Sequence, residues 1–236
     1  MQAKHIHSPL KRLPFVLLVI VLVLLIDQSL KIWVKTHMEI GEEFPILGQS
    51  WAFIHFVENE GMAFGWEIPA AYGKLILSLF RLGAIVFLSY ILYQLMQAKA
   101  SRGLLICFAL IFAGALGNII DSVFYGLIFS ASPYHGGVAT MFPEAGGYAG
   151  LLHGKVVDMF YFPMIESVWP AWVPFVGGQS FLFFRPVFNV ADASISVGVI
   201  MLLLFYRSYF TQETKPERTD ERPGEATPDT LDVKVE

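Results

Sequence analysis

The sequence holds a single cysteine, Cys107, set inside an apolar stretch. One thiol excludes a disulfide framework and a cysteine-based metal centre. Charge is scarce as well: 15% of the 236 residues are charged, where a soluble domain carries about a quarter. The 16 basic residues form no patch that would mark a nucleic-acid partner. There is no His-Glu-x-x-His helix for zinc and no Gly-x-Ser-x-Gly elbow for a serine nucleophile. His135 and His153 lack ligand spacing and read as solvated loop residues. No metal and no cofactor is expected, and any chemistry falls to carboxylates, amides and hydroxyls.

Apolar residues dominate instead, at 55% of the chain, with a mean hydropathy of +0.57. Four stretches, 13–34, 74–96, 104–124 and 186–206, are long enough to cross a hydrocarbon core of about 30 Å. The first follows Lys11 and Arg12, as a signal peptide would. No small-residue cleavage site follows it, and Asp27, Gln28 and Lys31 continue the helical pattern, so it reads as a retained span. Lys4, Lys11, Arg12, Lys99, Arg102 and Arg207 all flank spans on one side, while the connections 35–73 and 125–185 hold few basic residues. This asymmetry predicts cytoplasmic termini and two sizeable outer connections. The expected architecture is an all-α membrane protein of four transmembrane helices, occupying 1–210, with a small β-type element around 40–70. The polar segment 211–236 reads as a disordered cytoplasmic tail. The second connection carries Trp169, Trp172, Phe175, Phe181, Phe183 and Phe184, a composition suited to the membrane interface.

Ionisable residues within spans are costly and mark functional sites. At about 1.5 Å per residue, Asp27 and Asn118 each lie about 21 Å from the inner edge of their spans. Asp192, about 9 Å below the outer end of the descending fourth span, falls at the same height. Three helices therefore place polar groups in one layer. Each member also has a structural reading. Asp27 and Lys31 have the i,i+4 spacing of an ion pair. Asn118 and Asn189 suit interhelical hydrogen bonds. Asp121, one turn beyond Asn118, suits an interfacial charge, and Arg81 a snorkelling side chain. Asp192 has no basic neighbour within a helical turn. Either a partner such as Lys31 or Arg81 reaches it from another helix, or it spends time protonated.

Two carboxyls sharing one proton can hydrolyse a peptide bond, one activating water while the other donates to the carbonyl oxygen. The partner for Asp192 that suits this chemistry best is Asp158 of the second outer connection, although a lone acid among apolar loop residues is by itself more often a turn residue than a catalyst.

Five stretches carry a resemblance, in order. They are Asp27-Gln28-Ser29-Leu30-Lys31, Asn59-Glu60-Gly61-Met62-Ala63-Phe64-Gly65, and Gly114-Ala115-Leu116-Gly117-Asn118-Ile119-Ile120-Asp121. Val156-Val157-Asp158 and Phe188-Asn189-Val190-Ala191-Asp192-Ala193-Ser194-Ile195 complete the set. Over residues 27–195 the chain resembles the lipoprotein signal peptidases, or type II signal peptidases, which are bacterial membrane aspartic proteases. The resemblance implies that Asp158 and Asp192 are the catalytic dyad and that Asn59, Asn118 and Asn189 shape the site. Asp27, Lys31 and Asp121 look like its supporting polar shell. Gly61 suits either close approach of a substrate backbone or a turn requiring positive φ. The implied substrates are diacylglyceryl-modified prolipoproteins, cut just before the lipidated cysteine. The implied location is the cytoplasmic (inner) membrane, with the site toward the extracytoplasmic face among membrane lipids. Sensitivity to globomycin-type peptides belongs to the same expectation.

The chain departs from the family in two places. Ser122 stands where the family usually has arginine after the aspartate of its third-span motif, so any ion pair that arginine makes is absent or replaced; Arg185 or Lys155 is the expected source of a replacement charge. The segments 123–157 and 159–184 are also longer than usual and pack either over the cleft or on the lipid surface. Two other classes use similar residues. A proton-coupled transporter or channel also needs intramembrane Asp, Lys and Asn, but the spans show no inverted halves. A non-catalytic scaffold would use the aromatic outer connection as its contact surface.

Overall fold

The computed structural model describes residues 9–59, 73–183, 186–207 and 209. The expected tail 211–236 and Gly61 lie outside the described residues. Helix α1 runs Leu13–His37, α2 Gly73–Gln97 and α3 Arg102–Ile120. A π-helical turn, Asp121–Tyr125, and the short α4, Gly126–Ile128, prolong α3 without a break. Among the described residues, three helices are long and apolar enough to cross a membrane, 13–37, 75–97 and 102–128. The last helix, α5, is Val190–Phe205. Its 16 residues extend about 24 Å, short of a full crossing by themselves.

The helices bury their polar residues and expose their apolar ones. In α1, Asp27, Lys31 and Lys35 are buried, whereas Leu18, Leu22, Leu25 and Ile26 are about half exposed. That inversion is what a lipid solvent selects, because only the packed interior can satisfy polar groups. Two apolar clusters bracket the buried polar residues along both α1 and α3. One joins Val16, Ile20, Leu92, Leu95, Leu105 and Phe108 near the α2–α3 turn. The other joins Val34, Met38, Phe56, Tyr125, Val157 and Met159 beyond them.

The all-α expectation needs correcting: the outer connections build a sheet, and not only around 40–70. Strands β1 (Glu43–Pro45), β2 (Phe53–Asn59), β3 (Val156–Tyr161) and β6 (Val187–Phe188) pair antiparallel in the order β1-β2-β3-β6. The pattern is legible afterwards in the β-branched and aromatic run Val156-Val157-Asp158-Met159-Phe160-Tyr161. A separate hairpin, β4 (Ile165–Val168) with β5 (Ser180–Phe183), pairs only with itself and exposes Trp172 and Phe175 at its loop.

A second correction concerns α5. It begins at Val190 rather than 186, because β6 occupies the preceding residues. Asp192 therefore sits in the first turn of the helix, not two turns below its end.

Candidate active site

Asp192 owes its position to a helix cap. The Asn189 side-chain oxygen accepts from the Asp192 backbone N–H at 2.9 Å, and Asp192 Oδ2 accepts from the Asn189 N–H at 3.3 Å. This reciprocal capping box satisfies two backbone donors that the helix start would otherwise leave open. The other carboxylate oxygen, Oδ1, accepts from Asn118 Nδ2 at 2.8 Å, fastening α5 to α3. Close approach of the two helices depends on glycine. A Cβ at Gly114 would lie 2.2 Å from the carbonyl oxygen of Ala191, and one at Gly117 would lie 2.7 Å from Asp27 Oδ2.

Asp158 comes from β3, opposite Val57 of β2. Asn59 follows Val57 by two residues, on the same sheet face, and so reaches diagonally across to it. Its Nδ2 donates to Asp158 Oδ2 at 3.2 Å. Asn189 Nδ2 donates to Oδ1 at 2.6 Å and also lies within reach of Asn118 Oδ1 and the Val157 carbonyl. Asn189 is wholly buried and touches both aspartates. Asp158 is 4% exposed. Burial, reinforced by the charge of Asp192 and opposed by the two asparagine donors, pushes its carboxyl up to about 7.

Beneath this pair lies a second tier. Lys31 Nζ binds Asp27 Oδ2 at 2.9 Å, Asp121 Oδ2 at 2.8 Å and Asn118 Oδ1 at 2.9 Å, with no solvent exposure. Asp27 Oδ1 accepts from the Ala191 N–H at 2.9 Å, one more unpaired donor at the start of α5. Asp121 accepts from Gln28 Nε2 at 2.9 Å, and Gln28 in turn accepts from the Tyr125 hydroxyl. Asp27 and Lys31 thus form the expected i,i+4 pair, and Asp121 is a buried member of the same network rather than an interfacial charge.

The eight described candidates, Asp27, Lys31, Asn59, Asn118, Asp121, Asp158, Asn189 and Asp192, form one hydrogen-bonded cluster. Sequence reasoning overlooked Lys35, which is buried against Glu58 and Ser132 and lies over the rings of Phe129 and Tyr148. Its signal was available, since Asp27, Lys31 and Lys35 repeat every four residues on one helix face. Lys155 lies 3.6 Å from Glu58, and Arg185 lies outside the described residues. Among the described residues, the cation bonded to Ser122 is Arg81 of α2, whose Nη1 donates to Ser122 Oγ at 3.0 Å.

A family model described as Signal peptidase (SPase) II matches residues 19–208. The chain is 50% identical over 223 residues to a lipoprotein signal peptidase of Porphyromonas gingivalis, covering 91% of this chain and 96% of that protein. It is 34% identical over 194 residues to the lipoprotein signal peptidase of Amoebophilus asiaticus, covering 81% and 77%. The fold is similar to a solved bacterial membrane enzyme, with a TM-score of 0.53 at 22% identity, covering 86% of this chain and 93% of that one.

Proposed function

The chain belongs to the signal peptidase II family, and from that premise we propose that Asp158 and Asp192 are the aspartic dyad that performs its proteolysis. The enzyme is a multi-pass membrane protease that removes signal peptides from prolipoproteins. The transporter reading finds no support among these relatives. The observation that carries the dyad is Asn189, which binds both carboxyl-bearing residues from a fully buried position.

The roles divide by environment. Asp158, buried and pushed up to about 7, is the dyad member assigned the shared proton. Asp192 lies in the first turn of α5, where its carboxylate accepts from the Asn189 N–H and from Asn118 Nδ2. In the proposed step, Asp192 takes a proton from water as its oxygen attacks the scissile carbonyl. Asp158 gives its proton to the carbonyl oxygen, forming a neutral diol. As the diol collapses, Asp192 gives its proton to the leaving nitrogen, Asp158 takes one from a diol hydroxyl, and the C–N bond breaks to release a carboxylic acid and an amine. Asn59 and Asn189 orient Asp158, and Asn118 orients Asp192.

The finer reading concerns substrate and location. The cut falls just before a cysteine bearing diacylglycerol, whose acyl chains rest in the bilayer beside the helices. Membrane lipids are then neighbours of the site, and globomycin-type peptides are expected inhibitors. Four crossings with cytoplasmic termini suit the basic end of the bundle. There Arg12 donates to the Ala100 carbonyl and Arg102 lies over Phe15. The dyad sits toward the opposite, sheet-bearing end, which the positive-inside rule makes extracytoplasmic. In a bacterium this is the cytoplasmic (inner) membrane.

The test is a purified enzyme in detergent given one prolipoprotein in two forms, with and without diacylglycerol on its cysteine. Mass spectrometry should find a product beginning at the modified cysteine and little cleavage of the unmodified form. Equal cleavage of both forms, or a cut elsewhere, contradicts the substrate reading.

A further inference from the structure

We propose that Arg81 is a positioning residue of the dyad: docked on Ser122, it supplies from α2 the second cation that the site needs to keep one dyad carboxyl ionised. This inference rests on reading Asp158 and Asp192 as the catalytic pair.

The charge balance of the site motivates it. Four carboxyls converge here, Asp27 from α1, Asp121 from the π-helical turn, Asp158 from β3 and Asp192 from α5. Lys31 is engaged with Asp27 and Asp121. Glu58 on β2, the next acid outward, is bound by Lys35 and Lys155. With one proton on the dyad, three carboxylates face Lys31 and Arg81. Among the described residues, without Arg81 they face Lys31 alone, and an excess of two negative charges favours uptake of another proton.

The geometry gives Arg81 a defined route to the dyad. Its guanidinium donates to Ser122 Oγ at 3.0 Å, and that hydroxyl donates to the Asn118 carbonyl at 3.0 Å. The side chain of the same Asn118 donates to Asp192 Oδ1 at 2.8 Å. Ser122 is buried and small, so it accepts the guanidinium without filling its space. The position after Asp121 thus receives an arginine from the neighbouring helix instead of bearing one itself. A snorkelling side chain would have turned to the interface; this one turns to a buried hydroxyl.

The test is the pH dependence of cleavage by the purified full-length enzyme, using a diacylglyceryl-modified prolipoprotein. Removing a cation raises the pH at which the dyad first ionises, so the acidic limb of the rate profile moves upward. Arg81→Gln should shift that limb by about one pH unit, close to a tenfold loss of rate on it, with recovery at higher pH. Arg81→Lys should keep the limb near its parental place. Combining Arg81→Gln with Ser122→Arg, which restores the charge from the π-helical turn, should return the limb toward the parent. An unmoved limb in Arg81→Gln overturns the proposal, even if the rate falls evenly at all pH. If that variant fails to fold, the double variant decides: a parental limb supports the proposal and a shifted one overturns it. Asp158→Asn and Asp192→Asn in the same assay separate the two levels. Parental cleavage by either removes the dyad and Arg81's role with it. Inactivity of both beside an unmoved Arg81→Gln limb defeats the Arg81 proposal alone.

Discussion

Asn189 donates its side-chain amide to Asp158 at 2.6 Å while its side-chain oxygen accepts from the Asp192 backbone at 2.9 Å. One amide therefore caps the helix of one aspartate and orients the carboxyl of the other. Asn189→Ser retains a capping oxygen but loses the donor to Asp158. It should leave thermal stability near the parent and lower the cleavage rate at least tenfold. Asn189→Ala removes both functions and should also cost about 1 kcal/mol of stability. Thermal unfolding in detergent and initial cleavage rates check the pair.

The raised carboxyl of Asp158 couples stability to pH. Its folded value of about 7 lies above the usual 3.8, so the folded enzyme keeps a proton that the unfolded chain has released. Stability must therefore fall as pH rises between about 4 and 7, by at most about 1.4 kcal/mol per unit from this group. Asp158→Asn has no such proton, and its unfolding temperature should vary less over that range. An identical slope in parent and variant would contradict the burial argument.

Lys31 holds two buried acids at once, so removing it should be severe. Lys31→Met leaves Asp27 and Asp121 facing each other without a counter-charge, at a cost of roughly 3–5 kcal/mol. Adding Asp27→Asn and Asp121→Asn should recover much of the unfolding temperature, because the uncompensated charge is then gone. Recovery of stability without recovery of activity would identify the tier as support for the dyad's geometry.

The α3–α5 contact tests how closely the dyad depends on helix packing. Gly114→Ala forces a methyl to within 2.2 Å of the Ala191 backbone oxygen, one residue from Asp192. Overpacking of this kind costs about 1–3 kcal/mol. A displacement near 1 Å at Asp192 lowers rate by about 100-fold. Gly83→Ala on α2, where no atom lies within 4 Å of a new Cβ, is the matched control and should change neither quantity.

The long apolar helices were legible because lipid imposes a simple rule on sequence: about 20 apolar residues in a row. The polar layer was legible for the same reason, since an acid within such a run has few ways to persist. The strands of the sheet were harder to read. β6 is two residues long, and β3 matters for its pairing with β2, about a hundred residues away in the chain. No local pattern encodes such a partner. Missing β6 also moved the start of α5, so depth counting put Asp192 two turns inside a helix whose first turn it occupies. Arg81 was ambiguous for a different reason. A snorkelling arginine and a docked one look alike in sequence, and only the fold brings Ser122 within 3.0 Å.

The central claim is that Asp158 and Asp192 act as one catalytic unit. Cleavage of a diacylglyceryl-modified prolipoprotein by purified parent, Asp158→Asn and Asp192→Asn, each checked for parental unfolding behaviour, tests it most directly. The account predicts a cut product from the parent and intact precursor from both folded variants. Cleavage at the parental rate by either variant would contradict it.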